Sequence, residues 1–226
     1  MMKIIWSNYH YNPFWILVII TIPVILVGYL FSSYNTKITH IFNGLIFWKK
    51  RQQSLREDNI FSDLSSLLLS INFILTGSIF FLQSGIILVN QVLKFDFSFI
   101  SLLIVIFGIL LLYVLKTIII RILGFIFNRQ FAAKEYLGIV YLINHALGVC
   151  LVPVLIINAY ASENISNWAS DLGVVLLVSF FIIRLIKGVT IFLSMPKSSS
   201  VYLFLYLCTF ELAPLIFGYK LIEKLV

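Results

Sequence analysis

The chain is expected to be an all-α, polytopic membrane protein, a bundle of six transmembrane helices. Three observations carry that expectation. Of its 226 residues 61% are hydrophobic and only 11% charged, whereas a soluble domain carries roughly 45–50% apolar and about 25% charged residues. Six apolar runs, at about 13–31, 63–83, 97–115, 136–158, 169–186 and 201–220, each approach the roughly 20 residues that cross a bilayer as a helix. Between these runs the basic residues alternate in density. The first, third and fifth connections hold 12 of the 16 Lys and Arg.

The first run is bordered by Trp6, Tyr9, Tyr11 and Trp15 at one end and by Tyr34 at the other, amphipathic aromatics of the kind that settle at membrane interfaces. It begins late for a signal peptide and no small-residue cleavage pattern follows, so a retained span is expected. The connector at about 37–58 sets Ile41, Phe42, Leu45, Ile46 and Trp48 beside Lys49, Lys50, Arg51 and Arg56. Such a pattern suits a helix lying in the headgroup plane, with apolar residues down and cations toward phosphate. A surface that docks another envelope protein fits it equally.

Ser62 or Asp63 is placed to cap the second span, in which Ser66, Ser70 and Gly77 are small residues that admit close helix approach. The third span leaves its apolar core through KTIIIRILGFIFNR, where Lys116, Arg121 and Arg129 are expected to snorkel toward the interface. The fourth carries Asn144, His145, Gly148 and Pro153, and Gly138, Tyr141, His145 and Gly148 share one helical face. The fifth ends in Arg184 and Lys187, and a connector broken by Pro196 leads to the sixth. One domain over residues 1–226 is expected, with no internal repeat.

Charge sets the orientation. Basic connections stay cytoplasmic, which places both termini on the periplasmic side. Although the net charge is +7, its position between hydrophobic runs points to the lipid bilayer and anionic phospholipid headgroups as partners, and away from nucleic acid. Lys49, Lys50, Arg51, Arg56, Arg121, Arg129, Arg184 and Lys187 form the expected headgroup- or partner-facing surface.

The costliest residue is Glu211, in the middle of the last run and three residues before Pro214. A carboxylate there costs on the order of 2.5–3.5 kcal/mol by insertion scales. At 1.5 Å per helical residue, Asn72, His145 and Glu211 each lie roughly 13–15 Å from the cytoplasmic face. The expectation is a buried polar cluster in which Glu211 pairs with His145, with Asn72 or Asn144 as third member. A local alternative is also open: Pro214 frees the carbonyl of Phe210, which a protonated Glu211 can use.

Neither Cys150 and Cys208, deep in apolar runs, nor any Cys/His spacing suggests a disulfide or a metal. Motifs for metalloproteases, serine hydrolases and nucleotide binding are lacking, so no catalytic residue, cofactor or metal ligand is assigned. An accessory or scaffold protein is therefore expected. A small transporter or lipid-handling protein centred on Glu211 and His145 is the alternative.

The run LYLCTFELAPL, Leu205 to Leu215, resembles the C-terminal signature of an uncharacterised integral-membrane family of Bacteroidota catalogued as DUF4271. Asn128 to Phe131 (NRQF) and Phe47 to Arg51 (FWKKR) are weaker likenesses. The resemblance implies a bacterial inner-membrane location and brings no activity, substrate or catalytic residue.

Overall fold

The computed structural model describes residues 14–34, 39, 64–84, 99–126, 128 and 130–193. Apart from a few turn residues they are helical, with no strand among them, in five helices: α1 Phe14–Ser33, α2 Leu64–Gln83, α3 Phe99–Ile126, α4 Gln130–Tyr160 and α5 Glu163–Leu193. Four segments are long and apolar enough to cross a membrane: Leu64–Gln83, Phe99–Ile126, Ala133–Tyr160 and Asn164–Thr190. α1 contributes a shorter apolar run, Val18–Ser33. The count of six spans is thus not supported by the described residues. Hydropathy finds any apolar stretch, and the sixth, 201–220, lies outside them, as does the connector at 37–58 apart from Thr39.

The helices overrun the apolar cores read from hydropathy. α3 continues past 115 to Ile126, and α5 starts before 169 and ends beyond 186 at Leu193. Backbone hydrogen bonding does not stop at the hydrocarbon boundary. Lys116 and Arg121 both lie within continuous helix, Arg121 exposed and Lys116 half-buried.

α4 is the axle. Of its most apolar window 72% is buried, against 44% for α2, 11% for α5 and 6% for α3. Every residue from Glu135 to Gly148 is buried, the pattern of a helix surrounded on all sides. α4 touches each of the other four helices. Large exposed side chains are concentrated on α3 and α5, for example Phe107, Leu112, Phe125, Val175 and Ile186, with fewer on α1, α2 and the ends of α4, as suits faces solvated by lipid.

Contacts fix the directions. Added Cβ atoms on Gly148 and Gly173 would meet Phe73 and the Phe80 ring respectively. The Gly148–Phe73 approach, together with Ser70 beside His145, pairs rising numbers on α2 with rising numbers on α4, so those two helices run parallel, whereas Gly173 brings α5 against both. α3 and α5 run antiparallel to α4 through short reversals. At the first reversal Asn128 takes φ 52°, with its N–H on the Phe125 carbonyl at 3.1 Å. This is the left-handed conformation that Asn tolerates at a helix end. The second reversal is only Ala161–Ser162 long.

Two apolar clusters flank α4. One gathers Leu69, Ile120, Tyr136, Val140 and Ile143, with Leu30 of α1. The other gathers Ile79, Phe80, Leu102, Leu151, Leu155 and Ala169, with Ile20 of α1.

Candidate functional site

Polar side chains inside this bundle occur where α4 meets α2 and α3. Ser70 of α2 donates its hydroxyl to the Ser66 carbonyl at 3.0 Å and lies 2.9 Å from His145 Nε2. A hydroxyl has one proton. With that proton on the carbonyl, the histidine contact is Nε2–H donating to Ser70 Oγ. Tyr113 OH approaches the same oxygen at 3.5 Å.

One turn along α4, Tyr141 repeats the scheme toward α3. Thr117 donates to the Tyr113 carbonyl at 2.9 Å, so the Tyr141 hydroxyl donates to Thr117 Oγ1, also at 2.9 Å. Between the two relays the Tyr113 and Tyr141 rings meet edge-on with centroids 5.2 Å apart, a favourable quadrupole geometry. Each chain ends on a helix carbonyl that keeps its own backbone bond. Such bonds hold helices in register for about 0.6 kcal/mol each in lipid.

Beside these relays, a cleft of about 200 Å³ opens between α3 and α5, with α4 as its floor. Lys116 and Arg184 line it together with Tyr113, Thr117, Tyr141 and Asn144, and Ile109, Leu112 and Phe73 supply apolar wall. The cations come from the ends of α3 and α5 that lie beside the start of α4. Arg121, Lys134 and Lys187 belong to the same end of the bundle.

At the opposite end, Asn158 Oδ1 accepts from Ser166 at 2.6 Å and from Ser170 at 3.1 Å. These bonds tie the α4–α5 hairpin immediately inside its two-residue turn.

The residues singled out from sequence are distributed as follows. His145 is 4% exposed and bonded to Ser70. Asn144 lines the neighbouring cleft. Asn72 is fully buried, yet among the described residues neither its amide nitrogen nor its oxygen has a hydrogen-bond partner, so it does not bond to His145 or Asn144. Arg121 is exposed, while Arg184 and Lys187 are half-buried. Glu211, Lys49, Lys50, Arg51, Arg56 and Arg129 lie outside the described residues.

Ser70, Tyr113 and Thr117 were not anticipated as polar-site members. Tyr113 and Thr117 are four apart in an otherwise apolar run, which is the signal that marks a shared polar face. Ser70 had been read only as a small packing residue.

Four helices long and apolar enough to cross a membrane, packed around a helix buried from Glu135 to Gly148, are those of a multi-pass α-helical membrane protein. Within that class, residues 7–222 match the model of the family described as "Domain of unknown function (DUF4271)". The chain belongs to this family. Comparison with curated proteins and with solved structures gives no match.

Proposed function

We propose that the chain is a non-enzymatic accessory or scaffold component of the bacterial inner membrane. In this reading it has six spans and periplasmic termini, and its basic cytoplasmic end engages anionic headgroups or another envelope protein. One observation carries the reading: α4 is buried from Glu135 to Gly148, and on that stretch Tyr141 and His145 are turned into interhelical bonds. A helix enclosed on all sides and pinned to two neighbours is a rigid hub. The gathering of Lys116, Arg121, Lys134, Arg184 and Lys187 at one end supports a cytoplasmic assignment for that end, because short basic segments are retained there.

A second reading, a small transporter or lipid-handling protein with Glu211 and His145 at its centre, draws on Asn72. A buried amide without partners costs about 1–3 kcal/mol and is the kind of residue kept for a ligand, an ion or water.

Thiol accessibility separates the two. Single cysteines along Leu205–Leu215, on a background without Cys150 and Cys208, are treated with membrane-impermeant maleimide from each side. Protection throughout supports the scaffold. Labelling of one continuous stripe from either side sinks it and moves the transporter reading ahead.

A further inference from the structure

We propose that the cleft between α3 and α5 is a binding site for the phosphodiester headgroup of an anionic membrane phospholipid. The inference deepens the headgroup contact proposed above by giving it a site, and it rests on that reading's membrane setting.

Chemistry, depth and shape support it together. Lys116 and Arg184 bring two positive charges to one cleft, and Tyr113 and Asn144 add a hydroxyl and an amide, the Thr117 and Tyr141 protons being held in their relay. Arginine presents a planar fork of donors that matches phosphate oxygens, while lysine acts as a point charge. Basic pockets between transmembrane helices are an established way of holding acidic headgroups.

Depth follows from helical rise. Ser70 lies six residues beyond Leu64, roughly 9 Å from the start of α2 at 1.5 Å per residue. Tyr113 touches Ser70. Lys116 is three residues further along α3 toward the basic end, hence only about 5 Å deeper than the level at which α2 starts. Long cationic side chains at that depth reach the phosphate layer by snorkelling.

The shape selects a lipid over a soluble anion. The volume of about 200 Å³ is below the ~300–1,000 Å³ typical of whole small-molecule sites. It therefore suits a headgroup whose acyl chains stay outside. Ile109 and Leu112 form the wall at the lipid side, and Leu112 is 66% exposed, so acyl chains have an apolar surface leading away from the charges.

The test is native mass spectrometry of the full-length protein, taken from nanodiscs of phosphatidylglycerol and phosphatidylethanolamine in equal parts. The expected result is one phosphatidylglycerol retained per chain, with retention at least tenfold lower in Arg184→Gln and in Lys116→Gln. Arg121→Gln, an exposed cation of the same end but outside the cleft, serves as control and retains the lipid. Leu112→Trp, which narrows the mouth without touching charge, lowers retention as well and covers the case in which the charge variants misfold.

Equal loss in Arg121→Gln would mean diffuse surface attraction and overturn the site. Displacement of the lipid by inorganic phosphate at millimolar concentration would reassign the cleft to a free anion. No lipid in the wild type but retention in Glu211→Gln would show that the chain's own carboxylate occupies the cleft, and the lipid assignment would fall. A stripe of labelled thiols at Leu205–Leu215 would sink the scaffold reading while leaving this result unchanged, so the two fail separately.

Discussion

Replacing Gly148 with alanine tests the central helix contact. A Cβ built on Gly148 lies 2.8 Å from Phe73 Cα, 3.0 Å from Phe73 Cβ and 3.1 Å from Phe73 N. No side-chain rotation relieves these contacts, because the opposing atoms belong to the α2 backbone and its first side-chain carbon. Ordinary contact begins near 3.4 Å, so α2 and α4 must separate locally by about 0.6 Å. The Ser70–His145 bond, at 2.9 Å, lies one turn away and stretches toward 3.5 Å, where a hydrogen bond is largely lost. Overpacking costs about 1–3 kcal/mol and the lost bond about 0.6 kcal/mol. Against this stands the helix propensity gain of Gly to Ala, up to about 1 kcal/mol. The net expectation is a destabilisation of about 1–3 kcal/mol. Thermal unfolding in detergent measures it, with Gly28→Ala and Gly108→Ala as controls. Neither control position has anything within 4 Å of the added Cβ, so both should be neutral or slightly stabilising. Phe73→Leu should not rescue, since it keeps all three clashing atoms. A Gly148→Ala protein at least as stable as the controls would refute the helix crossing itself.

Two further outcomes can be checked in the same assay. A double-mutant cycle of Ser70→Ala and His145→Ala should return a coupling of about 0.6 kcal/mol and no more than about 1.7 kcal/mol; additive effects would mean that the two groups do not bond. Asn72→Leu removes a fully buried amide that lacks partners, so it should raise stability by about 1–3 kcal/mol. A destabilised Asn72→Leu protein would point instead to a buried ligand or water held by the amide.

The general architecture is legible in the residues. Continuous apolar runs in this chain have few ways to fold in lipid, where every backbone group must be bonded within the protein. Helices therefore follow from composition, and the cores of α1 to α5 fall where hydropathy places them. Length along the helix axis is legible too, which is why His145 and Ser70 fall at compatible depths. Helix ends are less so. Polar residues such as Lys116, Asn164 and Lys187 interrupt the hydropathy without interrupting the backbone hydrogen bonds, and α3, α4 and α5 run past the expected limits.

What the residues alone leave open is rotation about each helix axis, since nearly all faces of these helices are apolar. Rotation was decided by packing. Gly148 and Gly173 admit the α2 backbone and the Phe80 ring, and that choice turns Ser70 to His145 while leaving Asn72 without a partner, although both lie on one helix. It also brings Tyr113 and Thr117 of α3 to Tyr141, and Lys116 to the cleft that holds Arg184. Hydrophobicity is non-directional, so sequence determined which segments are buried in the membrane. Steric fit at small residues and the directionality of hydrogen bonds determined which polar groups meet there, and only the assembled helices contain that information.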